Sequence, residues 1–404
     1  MLIPPDSTGD ARRLLAARGL RAAADGLVSV LLPSYLVAQG YSPAQIGLLV
    51  TTTLLGSAAV TLAMGLLAHR WSARRSLSVA CMLMTLTGAG FAAPTASWWL
   101  WVVAFFGTLN PTAGDVSLFL PLEQALLART TAPSRWTALY ARWNLVAQAC
   151  GAIGALASAV PAWLSSRSGV GLVRAMSGAF LVYAAIGGAA WLLYRGLDPA
   201  IDAAAVTRDR RPLRQSRAIV LRLAALFTLD SFGGGFVTQS LLALWLFRRF
   251  ELSVATVAQV FFATAILAAV SQLTAAWLAR RIGLVRTMVV THIPANVFLL
   301  LAAVAPSAPV AIACLLLRAT LSSMDVPARQ ALVMAVVPVD ERAAAASVTN
   351  VPRSLGAGLA PWLAGWWLTQ SVVGWPLLVA GALKIVYDVL LYVLCRHRQV
   401  DTLH

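Results

Sequence analysis

Four aspartates stand inside otherwise apolar stretches of this chain: Asp25, Asp115, Asp230 and Asp325. A charge held deep in hydrocarbon is penalised by roughly 2.5–3.5 kcal/mol on insertion scales, so each acid needs a physical reason to be there. One reason is chemical. A carboxylate with restricted hydration can take up and release a proton, which is the exchange that proton coupling requires. The other reason is structural: Arg142 and Arg329 are placed to neutralise these acids, and the set would then be a salt-bridged latch. Both readings stand, and one residue can serve both. Asp115 leads as a titrating group, because it follows Asn110-Pro111-Thr112-Ala113-Gly114, a stretch unsuited to regular helix.

Other polar residues share these stretches. Arg318 and Arg353 lie nearer the middle of theirs, where a guanidinium fork either holds an anionic group or pairs with Asp325 or Asp230. Asn110, Asn144, Gln148 and Asn350 are uncharged candidates for contact with a substrate. Glu123 lies toward the headgroups and reads as an interfacial charge. Lys384 and Asp388 are four apart, hence on one helix face, and read as a self-neutralising pair.

Long apolar helices must hold these groups. Of the 404 residues, 59% are hydrophobic and 11% charged, and the mean hydropathy is +0.78. Soluble domains carry about 25% charged residues, so a soluble enzyme or a disordered chain is excluded. Twelve apolar segments fall near 20–40, 44–68, 76–95, 98–127, 138–163, 171–195, 219–246, 254–279, 285–305, 308–337, 343–369 and 372–395. Each approaches the ~20 residues that a helix needs to cross a bilayer. An all-α membrane protein of twelve transmembrane helices is predicted.

The longest hydrophilic stretch is central and rich in arginine, so residues 1–195 and 219–404 are predicted to form two six-helix bundles joined by a linker at 196–218. Arginines such as Arg12, Arg13, Arg74, Arg75, Arg280 and Arg281 crowd one face, while Arg167, Arg174, Arg248 and Arg249 mark the other. That asymmetry places both termini in the cytoplasm. The formal charge of +16 is therefore read as topology and not as a nucleic-acid footprint.

The two halves repeat each other. Asp25 answers Asp230, Asp115-Val116 answers Asp325-Val326, and Asn144 answers Asn350, at offsets of roughly 205 to 210 residues. Parallel duplicated halves are a transporter architecture. Helices five and eleven carry small residues at four-residue spacing, Gly151, Ala155, Ala159 and Gly356, Ala360, Ala364, which suit close packing or sliding. The run Gly233-Gly234-Gly235 should weaken helix seven by roughly 1 kcal/mol per glycine, so a bend and a gating hinge are expected there.

One local signature is the stretch Gly65-Leu66-Leu67-Ala68-His69-Arg70-Trp71-Ser72-Ala73-Arg74-Arg75. It resembles the loop between helices two and three of the major facilitator superfamily, with His69 in place of that family's Asp and Ser72 in place of its second Gly. The resemblance covers essentially the whole chain. It implies that helices one, four, seven and ten, which bear the four aspartates, line a central cavity. It also implies that Gly65, His69, Arg70, Arg74 and Arg75 belong to a cytoplasmic gating loop. The segment Met324-Asp325-Val326-Pro327-Ala328-Arg329 resembles a bacterial subgroup of permeases of unassigned or efflux-type role. Two antiporter features are missing: an Arg in helix four, and a Gly-Pro motif in helix five, where Cys150-Gly151-Ala152 stands instead.

Several chemistries are absent. Lys384 is the only lysine, so no GxxxxGK[ST] phosphate loop exists. Cys81, Cys150, Cys314 and Cys395 are scattered, as are the four histidines, so no metal set, cofactor or enzymatic constellation is expected. The expectation is a monomeric, multi-pass protein of the bacterial inner membrane. It would export a small organic solute by alternating access, driven by protons or another coupling ion, with lipid as its other partner. Proton-linked import of a small anion through Arg318 and Arg353 is the alternative, as is a non-transporting receptor or scaffold on the same fold.

Overall fold

The computed structural model describes residues 8–67, 71–93, 97–112, 118–127, 129–131, 136–199, 216–338 and 341–395. Every regular element among them is an α-helix. The first half holds α1 (Gly9–Ala38), α2 (Pro43–Leu67), α3 (Ala73–Ala92), α4 (Ser97–Phe106), α5 (Leu120–Leu127), α6 (Trp136–Ala157), α7 (Val160–Ser168) and α8 (Leu172–Arg195). The second half holds α9 (Arg217–Gly235), α10 (Gln239–Phe250), α11 (Val254–Ile282), α12 (Leu284–Ala303), α13 (Ala308–Ser322), α14 (Asp325–Val336), α15 (Arg342–Gln370) and α16 (Trp375–Cys395).

Among the described residues nine spans are long and apolar enough to cross a membrane. This is a multi-pass membrane protein. Three of the segments expected from sequence fall outside those nine, each for a local reason. The segment at 98–127 breaks because α4 stops at Phe106 and Asn110-Pro111 follow in non-helical backbone. The segment at 308–337 is divided between α13 and α14. The helix α15 is long enough, but Thr349, Asn350, Pro352, Arg353 and Ser354 make its middle polar.

Helix seven breaks at its glycines. Its first part ends at Gly235, and α10 begins after Thr238, whose hydroxyl accepts from the Leu241 amide at 3.4 Å. Packing explains the third glycine, because a methyl group there would run into the Ala357 carbonyl of α15.

Ser72 gains a role that its family counterpart, glycine, cannot fill. It is the N-cap of α3, and its side chain accepts from the Arg75 amide at 3.2 Å. Ser72→Ala should lower stability by about 1 kcal/mol and Ser72→Gly by only a few tenths, read by thermal unfolding of the purified protein.

The helices gather into two compact units. One contains α1, α2 from Thr52 onward, α3 to α8, and residues 253–262 at the start of α11. The other contains residues 42–51 at the start of α2, then α9, α10, the rest of α11 and α12 to α16. Within the first, α1 packs on α6 and α8, and α3 packs on α8. Within the second, α9 packs on α15 and α16, and α12 packs on α16. The duplicated sequence thus folds with a duplicated order of helix contacts.

The small-residue faces are contact surfaces. A methyl group at Gly26 would strike the Gly151 carbonyl, and one at Gly154 the Ala23 carbonyl, so α1 and α6 meet backbone to backbone. In the second unit a methyl group at Gly356 would stand 3.0 Å from Thr228 of α9. The first turns of α2 pack on α15 in the same manner. Gly47 lies against Gly365, Thr51 Oγ1 accepts from the Trp362 amide at 2.9 Å, and Thr369 Oγ1 accepts from the Ala44 amide at 3.0 Å.

Candidate functional site

Each unit buries a cluster of charge. In the first, α1 carries Arg18, Arg21 and Asp25, whose spacing sets them on one helix face. All three are buried. Arg21 donates to Glu123 of α5 through Nη2 and to the Tyr194 hydroxyl of α8 through Nε at 3.2 Å. Tyr194 in turn donates to the other oxygen of Glu123, so the carboxylate is held from two sides. The Arg21 guanidinium lies 3.9 Å from the Phe119 ring centre, and that of Arg18 lies 4.4 Å from the Trp143 ring centre. Asp25 lies in the field of both arginines and is hydrogen-bonded by Asn110.

The second cluster is larger. Asp230 of α9 is gripped from two helices: Arg329 Nη1 of α14 at 3.1 Å and Lys384 Nζ of α16 at 2.5 Å. Arg329 also bridges to Asp325 of its own helix at 3.2 Å. Four residues beyond Lys384, Asp388 faces His292 of α12, whose Nδ1 lies 2.9 Å and 3.0 Å from the two carboxylate oxygens. Asn296 Nδ2 approaches the same carboxylate at 3.4 Å. Arg353 of α15 donates through Nε to the hydroxyl of Ser231, next to Asp230, at 3.1 Å. A carboxylate with an ion partner escapes most of the penalty that burial imposes on an isolated charge.

A sequence profile of the Major Facilitator Superfamily matches residues 14–317 and again 224–403. The chain belongs to this superfamily. An uncharacterized membrane protein of Saccharomyces cerevisiae is 24% identical over 95% of this chain and 93% of its own. Among solved structures, a variant of the nucleoside transporter NupG superposes with a TM-score of 0.75 at 14% identity, over 96% of this chain and 100% of its own. A bacterial homologue of the human lysosomal transporter Spinster gives 0.75 at 15% identity, over 97% of each chain. The D-xylose–proton symporter gives 0.73 at 16% identity, over 95% of this chain and 97% of its own. At these identities the structural likeness speaks for the fold alone.

Within the superfamily fold the sequence candidates divide. Asp230, Asp325 and Arg329 come together in one ion-pair network, and Asp25 and Asn110 come together in the other unit. Asp115, His69 and Arg70 lie outside the described residues, and so do the side chains of Gly65 and Asn350. Arg142 Nη1 is buried and meets no hydrogen-bond partner among the described residues. Asn144 is exposed and Gln148 half-buried. Arg318 is half-buried, feels Asp230 and Asp325, and keeps its Nε without a hydrogen-bond partner among the described residues. Arg74 donates to the Arg195 carbonyl at 2.8 Å, and Arg75 lies 4.9 Å from the Trp71 ring centre. Gly233 and Gly234 pack against the Lys384 side chain.

Two expectations need correction. Glu123 is not an interfacial charge: it is fully buried and holds Arg21 and Tyr194. Lys384 and Asp388 do not pair with each other, because Lys384 reaches Asp230 on α9 and Asp388 takes His292 from α12. His292 was the residue whose importance was hardest to see. The usable signal was two pairs at four-residue spacing, His292 with Asn296 and Lys384 with Asp388.

Proposed function

We propose that this superfamily member is a proton-coupled secondary transporter that moves a small organic solute out across a bacterial inner membrane by alternating access. One observation carries the reading. Buried acids on α1 and α9, Asp25 and Asp230, occupy corresponding places in a duplicated chain, each with arginine beside it. Buried ion pairs are often replaceable by apolar side chains with no loss of stability, so two such clusters are poor evidence for a purely stabilising role. Carboxylates with close cationic partners can exchange a partner for a proton, and that exchange gives a proton gradient something to act on. The direction of transport rests on the resemblance of Met324–Arg329 to a subgroup of permeases of unassigned or efflux-type role. Residues 1–195 and 219–404 would be the two working halves, and Gly233 to Gly235 the hinge of helix seven. Asp115 remains a candidate proton carrier, and Arg74 and Arg75 candidate gate residues.

The test uses proteoliposomes holding a solute selected by its ability to raise the melting temperature of the purified protein. A pH gradient of either sign is imposed and solute movement recorded. Export requires that solute move against the inward flow of protons. Accumulation along that flow would contradict it and favour the second reading, import of a small anion. The Nε of Arg318, which has no hydrogen-bond partner among the described residues, favours that alternative, since a buried guanidinium donor suits a carboxylate or phosphate.

A further inference from the structure

The geometry points to His292–Asp388 as a proton-binding site that decides which carboxylate Lys384 serves. This deepens the proton-coupled reading by naming a carrier away from the expected aspartates, on α12 and α16. In the direct contacts of this cluster, among the described residues, three carboxylates, Asp230, Asp325 and Asp388, face two permanently charged cations, Arg329 and Lys384. His292 is the sixth member. Of the six, only an imidazole changes charge near neutrality when unperturbed.

Both members of the dyad are buried, Asp388 with 0% of its surface exposed and His292 with 4%. Around them stand Asn296 on α12, Lys384 and Tyr387 on α16, and Asp230 on α9. Arg329 and Asp325 on α14 meet Asp230, and Arg318 on α13 bears on the same two acids. In the proposal, a proton on both imidazole nitrogens lets His292 neutralise Asp388 while Lys384 stays on Asp230, which fits the heavy-atom contacts of the structure. When that proton leaves to water, Asp388 is a buried carboxylate without a cation. The nearest mobile one is the ammonium of Lys384, four residues back on the same helix face. Its departure would leave Asp230 with Arg329 alone.

A methyl group at Gly233 would stand 3.2 Å from Lys384 Cγ, so that glycine gives the lysine stem room beside α9. Asn296 Oδ1 and the Tyr387 hydroxyl are buried without hydrogen-bond partners among the described residues, which leaves an acceptor and a donor near the dyad. The switch would act where helix seven breaks, because Gly233 to Gly235 end α9.

Lys384 is the only lysine of the chain, so lysine labelled with 13C and 15N gives one side-chain resonance in nanodiscs. Histidine labelled with 15N reports the dyad, and His292 is the signal lost in His292→Gln. Between about pH 5 and about pH 9, the range in which imidazoles titrate, the Lys384 resonance should shift with the midpoint of the His292 signal. In His292→Gln that shift should be lost. Should this variant not fold, Asp388→Asn serves. It removes the competing carboxylate, so the lysine resonance should stay fixed at every pH. A Lys384 signal that is flat in the wild type, or that moves equally in either variant, would overturn the proposal. Neither readout needs a substrate, so failure of the pH-driven flux assay with this titration intact would count against the transport reading alone.

Discussion

Replacing Glu123 with leucine should lower the stability of the folded protein by about 3–5 kcal/mol, because it removes the carboxylate to which the buried Arg21 guanidinium donates. The size follows from the surroundings. Arg21 is 2% exposed, Glu123 is fully buried, and the Tyr194 hydroxyl, which donates to Glu123, would lose its acceptor as well. Leucine roughly preserves the volume, so the loss reports the orphaned charge more than a cavity. Removing both charges, with Arg21→Met added to Glu123→Leu, should restore most of the loss, since an apolar pair of similar volume is often as stable as the ion pair it replaces. Thermal unfolding of the two variants in detergent checks this. A single variant within about 0.5 kcal/mol of wild type, the usual range for an exposed position, would show that the pair is solvated.

Gly154→Ala should be nearly as damaging, while Gly151→Ala, one turn away, should be almost silent. At Gly154 the added methyl group would meet the carbonyl oxygen and carbon of Ala23, and its Cα at 2.8 Å, all of them backbone of α1. Backbone cannot turn aside as a side chain can, so α1 and α6 must separate along their crossing. Overpacking of this kind destabilises by about 3 kcal/mol. At Gly151 the nearest atom is the Ala22 oxygen at 3.5 Å, an ordinary contact. There the better helix propensity of alanine offsets any crowding. The same unfolding assay on the pair decides it, and equal losses would contradict the backbone contact.

Much of the fold was legible because hydrophobic length acts locally. The break in helix seven follows from Gly233 to Gly235, and the irregular backbone after α4 from Asn110-Pro111. The small-residue faces of α6 and α15 became close helix crossings. Spacing alone could not show, however, that Gly154 is tighter than Gly151, since that depends on the rotation of α1 about its axis. The candidate site was legible in its acids and in Arg329, which pairs with Asp230 and Asp325, and not in the partners that Glu123, Lys384 and Asp388 take. Arg18 and Arg21 stand at the edge of the apolar segment near 20–40, yet α1 starts at Gly9 and carries both into the buried part of the unit. Lys384 and Asp388 share a helix face, which made an internal pair plausible until α9 and α12 each supplied a nearer partner. Tertiary neighbours decide which of two equally spaced charges meet, and one sequence holds no record of them.

The central claim is that the buried carboxylates exchange protons as solute moves. Internal pH, followed with an entrapped dye in proteoliposomes on addition of a solute that stabilises the purified protein, tests it most directly. Wild-type protein should move protons in step with the solute, and Asp230→Asn should still bind that solute while moving none. Solute flux without any change of internal pH, or unaltered proton movement in Asp230→Asn, would contradict the account.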